Sequence, residues 1–262
     1  MTPRAKALLQ LAQLRHYWAK VRPADPGLGE VTALVERVWR RPDFARRLAA
    51  DRRYARPFLL MYGALAPTPD GPHRTALARL AADGYLAPRG KSPYLRLETR
   101  YYADLAGVAH RIESYGELYE SSELARRTLS AAELEPCNVA HTVFYLGDFG
   151  FRDPGLTPEA RRRALRVVEE LTERGVRRGE WDLVGKLLLT QFCLGADPAR
   201  TPSGAAGVRL LARAQRPDGA IPGRSHADRA DGSATPVAFF RKAYQATLVT
   251  ALASLIITAS PD

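Results

Sequence analysis

Two cysteines in 262 residues, Cys137 and Cys193, exclude a disulfide-stapled scaffold, and no CxxC or Cys/His cluster at structural-zinc spacing accompanies them. Reduced thiols in a cytoplasm are the expected state. Lysine is almost as scarce: Lys6, Lys20, Lys91, Lys186 and Lys242 are five of 39 basic residues. Strand signals are nearly missing, with no Asn-Gly or Asp-Gly hairpin between alternating segments, which argues against a sheet. Long apolar runs are missing too. The segment ATLVTALASLIITA holds about 14 residues where roughly 20 are needed to span a bilayer, so a buried terminal core helix and no membrane partner are expected. The opening MTPRAKALLQLAQLRHYW is too broken by Gln, Arg and His to read as a signal peptide.

What is present is an ordinary globular composition, 46% apolar and 26% charged, with enough apolar residues to build a core. The formal charge of +11 is carried mainly by arginine. Together with abundant Ala, Leu, Pro and Gly, this usage fits the coding bias of a high-GC bacterium such as an actinomycete, so part of the excess is mutational. The arginines are spread along the chain as Arg46-Arg47, Arg52-Arg53, Arg126-Arg127, Arg161-Arg162-Arg163 and Arg177-Arg178. A nucleic-acid reader concentrates its charge and adds aromatic platforms, so DNA or RNA is not an expected partner. An acidic protein or peptide is compatible with such a surface.

Helical periodicity punctuated by Pro and Gly predicts helices near 3–20, 27–40, 43–53, 57–66, 72–83, 93–108, 115–130, 137–147, 157–176, 180–195, 203–215 and 238–259. The fold class expected is all-α: one domain over 1–262, with N-terminal helices to residue 70 and alternating inner and outer helices over 71–262. HRTALARLAADG, GELYESSELARRTL, TPEARRRALRVVEELTERG and GVRLLARAQRPDG are amphipathic and suit the outside. YLRLETRYYADLAGV, CNVAHTVFYLGDFG, EWDLVGKLLLTQFCLG and FFRKAYQATLVTALASLIITA are apolar on most sides and suit an enclosed position. The repeat is roughly 40 to 45 residues, lengthened at the end by the loop 217–237.

The end of the chain, LARAQRPDGAIPG followed by AYQATLVTALA, resembles the repeat of α/α-toroid proteins such as terpenoid cyclases and protein prenyltransferases. Gln215, Asp218 and Gly219 match that family's turn; Tyr244, Gln245 and Thr247 match its inner-helix element, with Gln245 where the family often has His. The resemblance implies that the twelve expected helices, paired as hairpins, are arranged in a toroid or arc. It carries no chemistry over, because no Asp-rich diphosphate motif and no Asp-x-Cys plus His zinc set is present. HTVFYLGDFG and EWDLVGKLLL also resemble an uncharacterised actinobacterial family found near specialised-metabolite genes, which implies a biosynthetic setting.

Helix CNVAHTVFYLGDFG places Cys137, His141, Tyr145 and Asp148 on one stripe. His141 is the candidate acid/base, with Asp148 and Tyr145 beside it as candidate catalytic residues. A lone His on an apolar helix also reads as a core residue bonded to a backbone carbonyl. On EWDLVGKLLLTQF, Asp182 and Lys186 are four apart and suit an ion pair, with Gln191 near that face and Glu180 capping the helix. Lys186 is also a candidate for substrate-anion recognition, because a buried ammonium needs a partner. Glu98 and Tyr102 share a face of YLRLETRYYADLAGV, as do Tyr94 and Tyr101. Glu98 and Tyr102, with Asp182, Lys186 and Gln245, form the candidate substrate-binding set. His226, Asp228 and Asp231 have slight metal-ligand character, but no metal site is expected, and no cofactor is indicated.

Two functions follow. One is a cytoplasmic tailoring or cyclising enzyme acting on a small-molecule, carrier-bound or peptide-bound substrate, with a homodimer compatible. The other is a non-catalytic helical-repeat protein that binds an acidic carrier protein or precursor peptide.

Overall fold

The computed structural model describes residues 2–41, 52–66, 71–126 and 129–259, and among these no residue lies in a strand. The chain is all-α, as expected. Eleven α-helices are described: α1 (Pro3–Val21), α2 (Pro26–Trp39), α3 (Arg52–Leu65), α4 (Gly71–Ala82), α5 (Pro93–Leu105), α6 (Tyr115–Glu120), α7 (Pro136–Gly147), α8 (Pro158–Arg178), α9 (Trp181–Cys193), α10 (Pro202–Ala214) and α11 (Pro236–Ala259). The helix expected at 43–53 lies mostly outside the described residues.

Proline sets the helix starts. Thr2-Pro3, Asp25-Pro26, Ser92-Pro93, Thr157-Pro158 and Thr201-Pro202 each pair a capping side chain with a proline that needs no amide partner in the first turn. Glu135-Pro136 does the same, its carboxylate accepting the Cys137 amide at 3.1 Å. Pro57 is the exception, since α3 begins at Arg52 and carries this proline inside it. Of the helix expected over 115–130, residues 115–126 form only α6 and a 3-10 turn, Glu123–Ala125.

The chain divides into two compact units, residues 1–114 and 115–262. In the first, α1 packs on α2 and α3, and α3 packs on α4 and α5. Tyr17, Phe58, Leu60, Tyr62, Leu97 and Tyr102 are buried there, and Trp39 stacks on Tyr62 with ring centroids 4.0 Å apart.

The second unit is built around α9. Helices α7, α8, α10 and α11 all pack against it, and every α9 residue except Phe192 is buried. An apolar helix with charges only at Asp182 and Lys186 suits this enclosure. The amphipathic α8 buries one stripe, Ala164, Val168, Leu171, Thr172 and Gly175. The terminal helix α11 departs from expectation: it buries Ala243, Ala246, Leu252, Ala253 and Ile256, while Val237 and Phe240 are 60% and 41% exposed. It is the one described helix long and apolar enough to cross a membrane by length and composition. Its periphery is Ala, Ser and Thr as well as Leu and Ile, so the sequence marks no single buried face.

Candidate functional site

The site forms where α9 begins. Gly179 ends α8 in the left-handed conformation, φ 63°, and the chain turns at once into α9. Glu180 stands at the cap position, but its side chain makes no capping hydrogen bond, contrary to expectation. The loop after α10 supplies the acceptor instead: the Asp182 amide donates to the Arg224 carbonyl at 3.1 Å, and the His226 amide donates to the Gly179 carbonyl at 2.9 Å.

Three elements meet on the carboxylate of Asp182, whose side chain is 8% exposed. Gln245 of α11 donates from Nε2 to Oδ2 at 2.8 Å, Arg224 Nε lies 3.4 Å away, and Lys186 Nζ lies 3.7 Å away. The expected Asp182–Lys186 pair is present, and Gln245 joins it. Arg224 is the residue that sequence reasoning missed. Its signal was indirect: a buried carboxylate one helical turn from a lysine still has acceptor capacity for a donor from the long loop.

The turn identified from the sequence places Gln245. Gln215 Nε2 donates to the Gly219 carbonyl at 3.1 Å, and Asp218 accepts the Ala220 amide at 3.1 Å. The Ile221 amide then donates to Thr247 Oγ1 at 2.9 Å, fastening the loop to α11 two residues from Gln245.

Lys186 also approaches α7, where its Nζ lies 3.7 Å from Cys137 Sγ. Burial raises the Cys137 thiol above its ordinary range; the Lys186 charge works against this, and Glu135 and Asp182 reinforce it. His141, one turn on, donates a ring N–H to the Cys137 carbonyl. Burial, then the Lys186 charge, lowers its pKa to about 3 in spite of that bond. The ring is therefore neutral at pH 7 and resists protonation. As a neutral imidazole it has no imidazolium proton to donate.

Tyr145 stacks on His141 with centroids 5.9 Å apart and planes 12° apart, so these two candidates do lie together. Asp148 does not extend the stripe. Helix α7 ends at Gly147, and Asp148 and Phe149 follow in left-handed conformation, φ 45° and 55°. Asp148 acts on the Cys193 thiol, which burial chiefly, and this carboxylate in addition, push above its usual range. Arg152 closes the helix end, donating to the Tyr145 and Leu146 carbonyls at 2.9 to 3.0 Å. The next helix is capped by Thr157, whose hydroxyl accepts the Ala160 amide at 3.2 Å.

Gln191 also leaves the expected face. Its amide nitrogen donates to Thr172 at 3.0 Å and Ser203 at 3.2 Å, and its oxygen accepts from Thr201 at 2.7 Å, which ties α9 to α8 and α10. Glu98 and Tyr102 belong to the first unit: Glu98 accepts from Tyr94 at 3.1 Å, and Tyr102 packs edge-on against Tyr101. His226, Asp228 and Asp231 turn to separate partners, His226 edge-on to Trp181, Asp228 to Lys242 at 3.3 Å and Asp231 to Ser233.

No curated protein and no solved structure matches the chain. One family does, over residues 1–255, and the chain therefore belongs to the family described as a domain of unknown function, DUF6895.

Proposed function

We propose that the protein is a helical binding protein for an anionic partner, an acidic carrier protein or precursor peptide, which it meets through Arg224, with the Lys186 charge held behind it on the same carboxylate. One observation carries this reading: two cations converge on a single carboxylate, Asp182, that Gln245 already occupies at 2.8 Å. The cluster holds a net positive charge beside a largely buried ammonium, and a low-dielectric surrounding strengthens its pull on an anion. The formal charge of +11 supports approach of such a partner. Titration of a fluorescein-labelled oligoglutamate peptide tests it. Affinity should fall as salt rises, and Arg224→Gln should weaken binding by roughly fivefold, about 1 kcal/mol for one partly exposed charge. Binding indifferent to both changes would sink the proposal.

A second reading is a tailoring or cyclising enzyme, favoured by the meeting of Cys137, His141, Asp182 and Lys186 from α7 and α9. In this reading His141 is the acid/base candidate, a weak base while its pKa is held at about 3, Tyr145 shapes its surroundings, and α7, α9 and α11 are the inner helices of an α/α arc. A cytoplasmic, actinobacterial, specialised-metabolite setting belongs to this reading through the family resemblance. Unchanged pathway product from a folded His141→Gln protein would remove it.

A further inference from the structure

We propose that Cys137 and Lys186 form a peroxide-driven covalent crosslink, a sulfenamide that ties α7 to α9. The two side chains come from different helices and meet with Nζ 3.7 Å from Sγ. Lys186 is 7% exposed, so its amine is held beside the sulfur and not spread over solvent rotamers. Cys137 is only half-buried, which leaves it open to a reagent as small as hydrogen peroxide, whereas Cys193 is buried.

The chemistry balances in two steps. Peroxide oxidises the Cys137 thiol to a sulfenic acid and is itself reduced, one oxygen going to sulfur and one leaving as water. The neutral Lys186 amine then attacks that sulfur; the S–N bond forms, the S–O bond breaks, and the departing hydroxide leaves as water with an amine proton. The net change in the protein is the loss of two hydrogens. The proton that must leave the ammonium before the attack goes to solvent, while Asp182 Oδ2, 3.7 Å from Nζ, holds the side chain in position. Burial of the thiol keeps the first step slow in the resting protein, since the thiolate is the reactive form.

The crosslink stands apart from the partner reading. Where both hold, it also removes the Lys186 charge from the anion-binding cluster.

The test treats the whole folded protein with hydrogen peroxide, blocks remaining thiols with N-ethylmaleimide, and measures intact mass and linked peptides. A species two hydrogens lighter should appear with one thiol fewer to block, and it should yield a peptide pair joining Cys137 to Lys186. Dithiothreitol should reverse it. Cys193→Ser should leave it in place, and Lys186→Arg, checked for folding by circular dichroism, should replace it with stepwise oxygen addition at Cys137. Loss of the lighter species in Cys193→Ser would identify a disulfide and overturn the proposal. Oxygen addition without any crosslink in the unsubstituted protein would overturn it too, as would a Cys137 that does not react.

Discussion

His141 shows how one residue's surroundings decide its chemistry. An exposed histidine changes charge near pH 6.5, but this ring lies among Cys137, Phe144 and Tyr145 and faces the Lys186 charge, so its folded pKa falls to about 3. Below about 6.5 the unfolded chain takes up a proton that the folded chain refuses. Stability is therefore lost as pH falls through the window from 6.5 toward 3, at about 1.4 kcal/mol per pH unit for one proton, and is independent of this group above it. His141→Gln keeps a donor for the Cys137 carbonyl and removes the titration. Urea midpoints should show the variant gaining roughly 2 kcal/mol on the unsubstituted protein between about pH 7 and pH 5. A parallel decline of both proteins would show that the ring is not held neutral. The sequence presents His141 equally as base and as core residue, because the i–4 carbonyl bond and the Lys186 charge both depend on packing. Asp182 and Lys186 were legible because their spacing is local. Arg224 was not, since only the folded loop brings it to the carboxylate across 42 residues of chain.

Among the elements, α9 does most to organise the second unit, and Gln191 is its main polar fastener. The side chain is fully buried and joins hydroxyls of Thr172, Thr201 and Ser203 from α8, the turn before α10, and α10 itself. Gln191→Leu preserves much of the volume but removes a partner from the buried Thr172 and Ser203 hydroxyls and from the half-buried Thr201 hydroxyl, at a cost of about 2–3 kcal/mol. A thermal melt read by circular dichroism should show the loss, while Thr258→Ala at an exposed position of α11 should change little. Helix positions were largely legible, because cap-plus-proline pairs and period-3.6 apolar spacing are local signals. Two elements broke the pattern for physical reasons. Over 115–126, the sequence has helical residues but the structure divides them between the short α6 and a 3-10 turn, with Arg163 of α8 donating to the Leu124 and Ala125 carbonyls at 2.9 and 3.0 Å. In α11, beyond Gln245, apolar residues mixed with Thr and Ser on all sides give no clue to which side α9 will cover.

At the scale of the whole molecule, the family match over 1–255 runs through both compact units, so the DUF6895 pattern includes them together. Its dominant long-range property is charge: 39 basic against 28 acidic residues leave +11 at neutral pH. Ion pairs offset this only locally. Arg40–Glu36, Arg177–Glu173 and Arg200–Asp197 lie at 3.5, 3.8 and 3.1 Å on the surface, where each contributes about 0–1 kcal/mol. Self-repulsion acts over the full surface and weakens as the screening length shortens from about 30 Å at 0.01 M salt to about 3 Å at 1 M. The two effects have opposite salt dependence, so their balance is measurable. Repulsion among the scattered arginines should win, and the melting temperature should rise by a few degrees, roughly 1 kcal/mol, between low and near-molar sodium chloride. A fall over the same range would mean that surface pairs outweigh the net charge. It would also remove the argument that excess positive charge draws an anionic partner to the Lys186–Arg224 cluster.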